Sequence, residues 1–392
     1  MRILMINSVC GIRSTGRICT DLATALEAQG NDVKIAYGRE NVPEQFQKYA
    51  VRIGSDLDVK VHGMKARLLD GAGFGSKHAT EKFITWVKQY DPDVIHLHNV
   101  HGYYINLEVL FDYLRTCGKK IIWTLHDCWA FTGHCAYFDY IGCDKWKDRC
   151  KNCPQKNEYP TCVGLDRSEN NYLKKKKFFS AIPNLTIVTP SSWLASLVKQ
   201  SFLSEYDVEV IHNGIDTDIF KPTDSNLRKK FGIIGKKIIL GVASGWDRRK
   251  GLKYFIELCE CLPDEFQIVL VGLSKNQINC LPQKIIGIER TNNVQELAAL
   301  YTMAEVFVNP TLEDNYPTTN LEAMACGTPV ITFDTGGSAE SAMMYGVSVS
   351  KGDINGLIKA INHLGELVPH YLDLDFKTAT QKYSKMYEGM KK

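Results

Sequence analysis

Short runs of aliphatic and β-branched residues alternate along this chain with stretches whose apolar positions recur every three or four residues. RILMIN from Arg2, DVKIAYG from Asp32, DVIHLHN from Asp93, KKIIWTLH from Lys119 and LTIVTPS from Leu185 read as buried strands. TDLATALEAQG from Thr20 reads as an amphipathic helix between the first two. After Lys236 the alternation restarts with KIILGVAS, FQIVLVG, IIGIER, EVFVNP and PVITFD, separated by helical stretches or Gly/Pro turns. Such an order predicts βαβ units on parallel sheets, and therefore an α/β chain of two Rossmann-like halves.

The first half is expected to span residues 1–212 and the second 236–371. Between them IHNGIDTDIFKPTDSNLRKKFGI is rich in turn residues and charge, which predicts a connection over 213–235. The tail 372–392 has apolar positions at helical spacing and is expected to form a helix packing back onto the first domain.

A chain of 392 residues exceeds one ordinary core, in agreement with two domains. With 44% hydrophobic and 23% charged residues it is globular, and no run approaches the roughly 20 apolar residues that span a bilayer. MRILMINSVC lacks the pattern of a signal peptide, so a cytoplasmic location is expected, with the thirteen cysteines as reduced thiols or metal ligands. A net charge of +3 gives no argument for nucleic acid. The run Lys174–Lys177 before Phe178 and Phe179 has two readings: peripheral contact with the cytoplasmic face of an anionic inner membrane, or a solvated helix face ending in core aromatics. GAGFG, Gly71–Gly75, follows a helical stretch rather than a strand and is not expected to bind a dinucleotide.

Three segments of the second half carry chemistry. TGGSAE, Thr335–Glu340, follows a strand and opens a helix, so Gly336 and Gly337 let backbone amides approach a diphosphate. DRRKGL, Asp247–Leu252, follows another strand and offers Arg248, Arg249 and Lys250 to charge developing on a leaving diphosphate. In LEDNYPTTNLEAMACG a helix is expected to start at Thr318 or Thr319. Glu322 then suits a ribose diol, and Asp314 or Glu313 the sugar hydroxyls. Each has a plainer reading, namely a tight turn, an exposed basic loop or carboxylates offsetting a helix dipole. Their coincidence after strands of one sheet favours a nucleotide-sugar site.

These motifs resemble glycosyltransferase family 4, over nearly the whole chain. Pro310, Asp314 and Glu322 to Val330 follow the family's spacing of acid, seven residues, glutamate and Ala-Met-Ala-x-Gly-x-Pro-Val, and Gly336, Gly337 and Glu340 its Gly-Gly-x-x-Glu. HNGID from His212 and TPSSWL from Thr189 resemble its connection and a helix start. The resemblance implies a GT-B fold, two Rossmann-like domains facing a central cleft. It also implies a retaining hexosyltransferase with a nucleotide diphosphate-sugar donor and no catalytic metal. Bacterial surface polysaccharide synthesis on a glycan or lipid-linked acceptor is the plausible setting. The chain departs from the pattern where Ser244 aligns with a phosphate-binding arginine, whose role falls to Arg248 or Arg249, and where Asn315, Tyr316 and Pro317 replace Gly-Phe-Gly. Donor backbone contacts then involve Thr318 and Thr319.

In the first half the resemblance assigns His126 to the transferring sugar, with Asp127 orienting it or contacting the acceptor. Gly16 and Arg17, in CGIRSTGR, match a glycine loop near the donor. His98, Asn99, His101, Tyr103 and Tyr104 supply rings and amides for an acceptor wall. The insertion 128–162 holds six cysteines; Cys135, Cys143, Cys150 and Cys153 suit a structural tetrahedral zinc site, free thiols or a redox pair. A nucleotide-sugar epimerase or hydrolase, a pyridoxal-phosphate-dependent phosphorylase and a non-catalytic zinc-bearing interaction protein are the competing readings.

Overall fold

The computed structural model describes residues 1–370 and 373–389, so the outermost parts of the expected tail, at 372 and 390–392, lie outside the described residues. Two compact units form, one from residues 1–212 with 379–389 and the other from 213–378.

The first unit is a seven-stranded parallel sheet: β1 (Arg2–Ile6), β2 (Asp32–Tyr37), β3 (Ala50–Arg52), β4 (Val94–Leu97), β5 (Lys120–Thr124), β6 (Leu185–Thr189) and β7 (Asp207–Val210). They lie in the order β3-β2-β1-β4-β5-β6-β7. Alternation along each strand feeds two cores. Leu4 and Ile6 join Ile95, Leu97, Ile121 and Trp123 on one face. Ile3 and Met5 join Val94, Ile122 and the helix Arg13–Ala28 on the other.

The tail helix Phe376–Glu388 contributes Tyr383 and Tyr387 to this second face. Tyr387 Oη lies 2.7 Å from His96 Nδ1, His96 Nε2 lies 2.8 Å from Thr124 Oγ1, and Thr124 Oγ1 lies 2.9 Å from Tyr383 Oη. Four buried polar groups on β4, β5 and the tail thereby satisfy one another.

The second unit is a six-stranded parallel sheet: β8 (Lys237–Val242), β9 (Phe266–Val271), β10 (Ile285–Ile288), β11 (Val306–Asn309), β12 (Val330–Phe333) and β13 (Gly346–Val349), in the order β10-β9-β8-β11-β12-β13. The stretch 213–235 is part of this unit rather than a free connection. Ile215, Phe220, Leu227 and Ile233 are buried with Leu240, Val269 and Phe307. Its turn-rich composition obscures those apolar anchors. Ile215 also pairs with Asp375, its N–H donating to Leu374 O at 2.8 Å and its carbonyl accepting from Phe376 N at 3.0 Å. The segments that enter and leave the unit therefore lie side by side.

Candidate functional site

Strand order reverses direction between β8 and β11, and open parallel sheets bind ligands beyond the carboxyl ends of strands at such a point. The segments after these two strands are joined there. Asp247 caps the turn Arg248–Lys250 by accepting from Lys250 N at 3.0 Å, and the Leu312 N–H donates to Arg249 O at 2.8 Å. Gly251 follows with φ of +78°; a Cβ there would lie 2.2 Å from Pro310 O, so only glycine allows this approach.

The turn sorts the three cations. Arg248 is exposed, whereas Arg249 and Lys250 point inward. Lys250 Nζ lies 2.5 Å from Asp314 Oδ2, with Arg249 Nη1 at 3.6 Å from the same oxygen and 2.7 Å from Glu313 O. Burial pushes the Asp314 carboxyl up, but the Lys250 ammonium and Arg249 guanidinium outweigh it and hold its pKa below the ordinary value. The result is a charged, largely buried cluster at the strand ends.

After β12 the Gly336–Gly337 turn wraps the Asp314 backbone, with the Gly337 N–H donating to Asp314 O at 2.9 Å. Thr318 and Thr319, half-buried, open the helix Thr318–Ala325. Glu322, one turn further on, is buried and accepts from Tyr301 Oη at 3.0 Å. Glu313 is fully buried and Glu340 half-buried. Two groups absent from the motif reading support this region. Tyr301 holds Glu322, and Asn320 accepts from Asn309 Nδ2 at 2.8 Å and donates to Ser341 Oγ at 2.8 Å, tying β11, the helix and the glycine turn together. Their signal in sequence is only a polar residue at a core position, with a partner distant along the chain.

In the first unit the ends of β4 and β5 bring three histidines together. His98 Nδ1 lies 3.0 Å from His126 Nε2, their rings stacked 5.3 Å apart, and the His96 ring lies 4.1 Å from that of His98. His98 Nε2 is buried without a hydrogen-bond partner among the described residues, so a proton is better placed on His98 Nδ1, donating to His126 Nε2. His101 bridges Asp127 Oδ2 at 3.0 Å and Tyr159 Oη at 3.1 Å. Asn7, which no motif flagged, accepts from Asn99 N at 3.2 Å and links β1 to this end of the sheet.

Several expected residues prove structural. Tyr104 is buried and donates to Asn99 O at 2.7 Å, so its ring belongs to the core rather than an acceptor wall. His98 is likewise buried, whereas Tyr103 is half-buried with a left-handed backbone. Gly16 sits inside the first helix and its carbonyl accepts from Gly11 N at 3.1 Å, so the loop folds onto it; Arg17 lies beside it, half-buried. Phe178 and Phe179 are core residues, and Lys175 is buried with Nζ donating to Trp129 O at 2.7 Å, which removes them from any membrane surface. Interaction with Cys153 and burial hold the Cys135 thiol well above its ordinary value, with Cys150 and Cys143 close enough to contribute. Among the described residues no group of three or more His, Cys, Asp or Glu side chains is arranged to hold a metal ion.

Burial favours the neutral form of His62, His96, His98 and His126. His126 and His62 are pushed down to about 4 and His96 to about 3, with His98 also well below the ordinary value. A folded-state pKa below the unfolded one gives stability that is complete above pH ~6.5 and lost as pH falls toward about 4. Each imidazole then costs about 2 kcal/mol at pH 5. The melting midpoint should drop steeply between pH 6.5 and 4; a flat profile there would contradict the neutral assignment.

Residues 15–219 match Glycosyltransferase Family 4, and residues 236–366 match Glycosyl transferases group 1. The chain belongs to glycosyltransferase family 4. It is 25% identical over 92% of its length to a putative colanic acid biosynthesis glycosyl transferase of Escherichia coli, WcaC, 90% of which is covered. It is 26% identical over 42% of its length to an MMP alpha-(1->4)-mannosyltransferase of Mycolicibacterium hassiacum, 40% of which is covered. Among solved structures it resembles sucrose-phosphate synthase from Thermosynechococcus elongatus, with TM-score 0.73, 17% identity and coverage of 99% and 98% of the two chains. Anabaena Alr3699/HepE in complex with UDP-glucose superposes with TM-score 0.68, 14% identity and full coverage of both chains. The protein is a glycosyltransferase with the GT-B fold, related to enzymes of polysaccharide biosynthesis.

Proposed function

We propose that this family 4 enzyme transfers a hexose, with retention, from a nucleoside diphosphate-sugar to a glycan or lipid-linked acceptor during surface polysaccharide synthesis. The observation that carries the reading is the cluster of Arg249, Lys250 and Asp314 beside the Gly336–Gly337 turn at the β8/β11 reversal. Anabaena Alr3699/HepE, which shares the fold, is known with UDP and with UDP-glucose. A uridine diphosphate is therefore the first donor to test.

The diphosphate sits against Lys250, Arg249 and the Gly336 end of the glycine turn, where positive charge is already oriented. Arg249, inward-facing, takes the role of the arginine expected at Ser244; exposed Arg248 does not. Glu322, steadied by Tyr301, receives the ribose, and Asp314, Glu313 and the Thr318–Thr319 backbone the sugar, with Glu340 beside the turn. His126, kept neutral, acts at the transferring sugar, and Asp127, His101, Asn99 and Tyr103 serve the acceptor. The acceptor oxygen bonds to the anomeric carbon as the carbon–phosphate-oxygen bond breaks on the same face, and the departing phosphate oxygen takes the hydroxyl proton. No carboxylate pair flanking the bond is required.

Thermal-shift screening of nucleoside diphosphates and their sugars, followed by NMR of the product anomer with and without acceptor, tests this. Stabilisation by a nucleotide-sugar and a product of retained configuration are expected. An inverted product, or isomerised or hydrolysed sugar alone at full rate in the presence of acceptor, would refute it.

A further inference from the structure

The helix Asp56–Leu69 turns its larger apolar residues outward. His62 and Ala66 are buried on its inner face, whereas Leu57, Val61, Met64 and Leu68 are 70, 54, 61 and 55% exposed. Spacings of four, three and four place those four in one stripe. At about 100° per residue, Lys60 and Arg67 flank the stripe on one side and Lys65 on the other. All three are exposed. The helix's acidic residues are engaged at its start: Asp56 pairs with Arg52, and Asp58 closes a capping box with Ser55.

The patch extends beyond the helix. Val163 N and Leu165 N donate to Arg67 O and Leu68 O at 2.9 and 3.0 Å, which fixes two further apolar residues, 69 and 57% exposed, at the helix end. Lys65 Nζ donates to Phe74 O at 2.7 Å and Lys174 Nζ lies 5.1 Å from the Phe74 ring centroid, so an exposed lysine of the helix Ser168–Phe179 stands beside it.

Contiguous apolar side chains of this size in water mark a surface that meets a partner. A narrow apolar stripe rimmed by lysine and arginine fits the headgroup layer of an anionic bilayer, where the stems bury and the charges reach phosphates. A second copy fits poorly, because a two-fold contact would set Lys60, Lys65 and Arg67 against their own equivalents. We propose that the outer face of the helix Asp56–Leu69, extended by Val163 and Leu165, docks on an anionic lipid bilayer. No residue of that face belongs to the donor site, so docking stands independently of the transfer chemistry. The inner face of the helix meets Tyr103, whose ring centroid lies 6.0 Å from that of His62. Docking thereby delivers a lipid-borne acceptor near Tyr103, a consequence that does rest on the transferase reading.

The test is flotation of the full chain with vesicles of zwitterionic lipid alone or with about one-third anionic lipid, comparing wild type with L57Q/V61Q/M64Q/L68Q and K60Q/K65Q/R67Q. Wild type should float with anionic vesicles, less so at high salt. Each variant should lose about tenfold or more in partitioning while keeping wild-type melting and UDP binding. Wild type left behind by anionic vesicles, or variants that float equally well, would overturn the proposal. So would a dimer that the apolar variant abolishes without any change in flotation, since that assigns the stripe to a second copy. Failure of the donor reading would show separately, as absence of UDP binding in all three proteins.

Discussion

Lys250→Ala is expected to lower kcat/KM for sugar transfer by about 10²- to 10³-fold, the effect of removing one oriented group from a developing charge. The ammonium is held 2.5 Å from Asp314 Oδ2 at the reversal of the sheet, and Arg249 at 3.6 Å cannot take over that contact unaided. Its removal both weakens stabilisation of the leaving diphosphate and leaves a largely buried carboxylate short of a partner, which raises the Asp314 pKa. Most of the loss should fall on kcat, because charge on the diphosphate is greatest as the bond breaks. Steady-state kinetics with UDP affinity measured in parallel would show it. An unchanged kcat/KM would remove Lys250 from the mechanism.

Gly336→Ala should be as damaging by a different route. The residue has φ of +57°, and an added Cβ would lie 2.1 Å from Asp314 O. The left-handed backbone alone costs roughly 1–2 kcal/mol for a side-chain-bearing residue, and the overlap with a carbonyl cannot be relieved by a rotamer change. A loss of about 2–4 kcal/mol is expected in urea unfolding of the second unit, together with loss of nucleotide binding as the turn moves off Asp314. If the variant melts and binds UDP like wild type, the turn is not the fixed element described here.

How much of this was legible in sequence depends on the range of each interaction. The interior strands were legible because both faces of each parallel sheet are covered, so β1, β8 and β12 read as near-continuous apolar runs, whereas the edge strands β3, β7 and β13 were not legible. Lys250, Asp314, Gly336 and Gly337 were legible as candidates because each follows a strand within a few residues. Which arginine turns inward was not, since Arg248 and Arg249 differ only in the direction of one short turn. Tyr301 beneath Glu322, and Tyr383 and Tyr387 around His96, were invisible, because their partners are set by packing across the chain. Leu57, Val61, Met64 and Leu68 show the limit of periodicity: the pattern identifies a common face but not whether that face meets protein or solvent. The apolar anchors in 213–235 failed for the opposite reason, since Ile215, Phe220, Leu227 and Ile233 are diluted by turn residues.

The tail helix gives the first unit an unusual order of assembly. Its sheet is complete in sequence by Val210, yet on the face shared with the helix Arg13–Ala28 His96 and Thr124 find hydrogen-bond partners in Tyr387 and Tyr383 of the tail. A ribosome must therefore synthesise the whole of the second unit before the first can complete that face. Until then, buried polar groups and an apolar surface remain open to chaperones or to aggregation. Expression fragments ending at the apparent boundary near His212 inherit this unfinished state, and supplying residues 379–389 is the natural remedy.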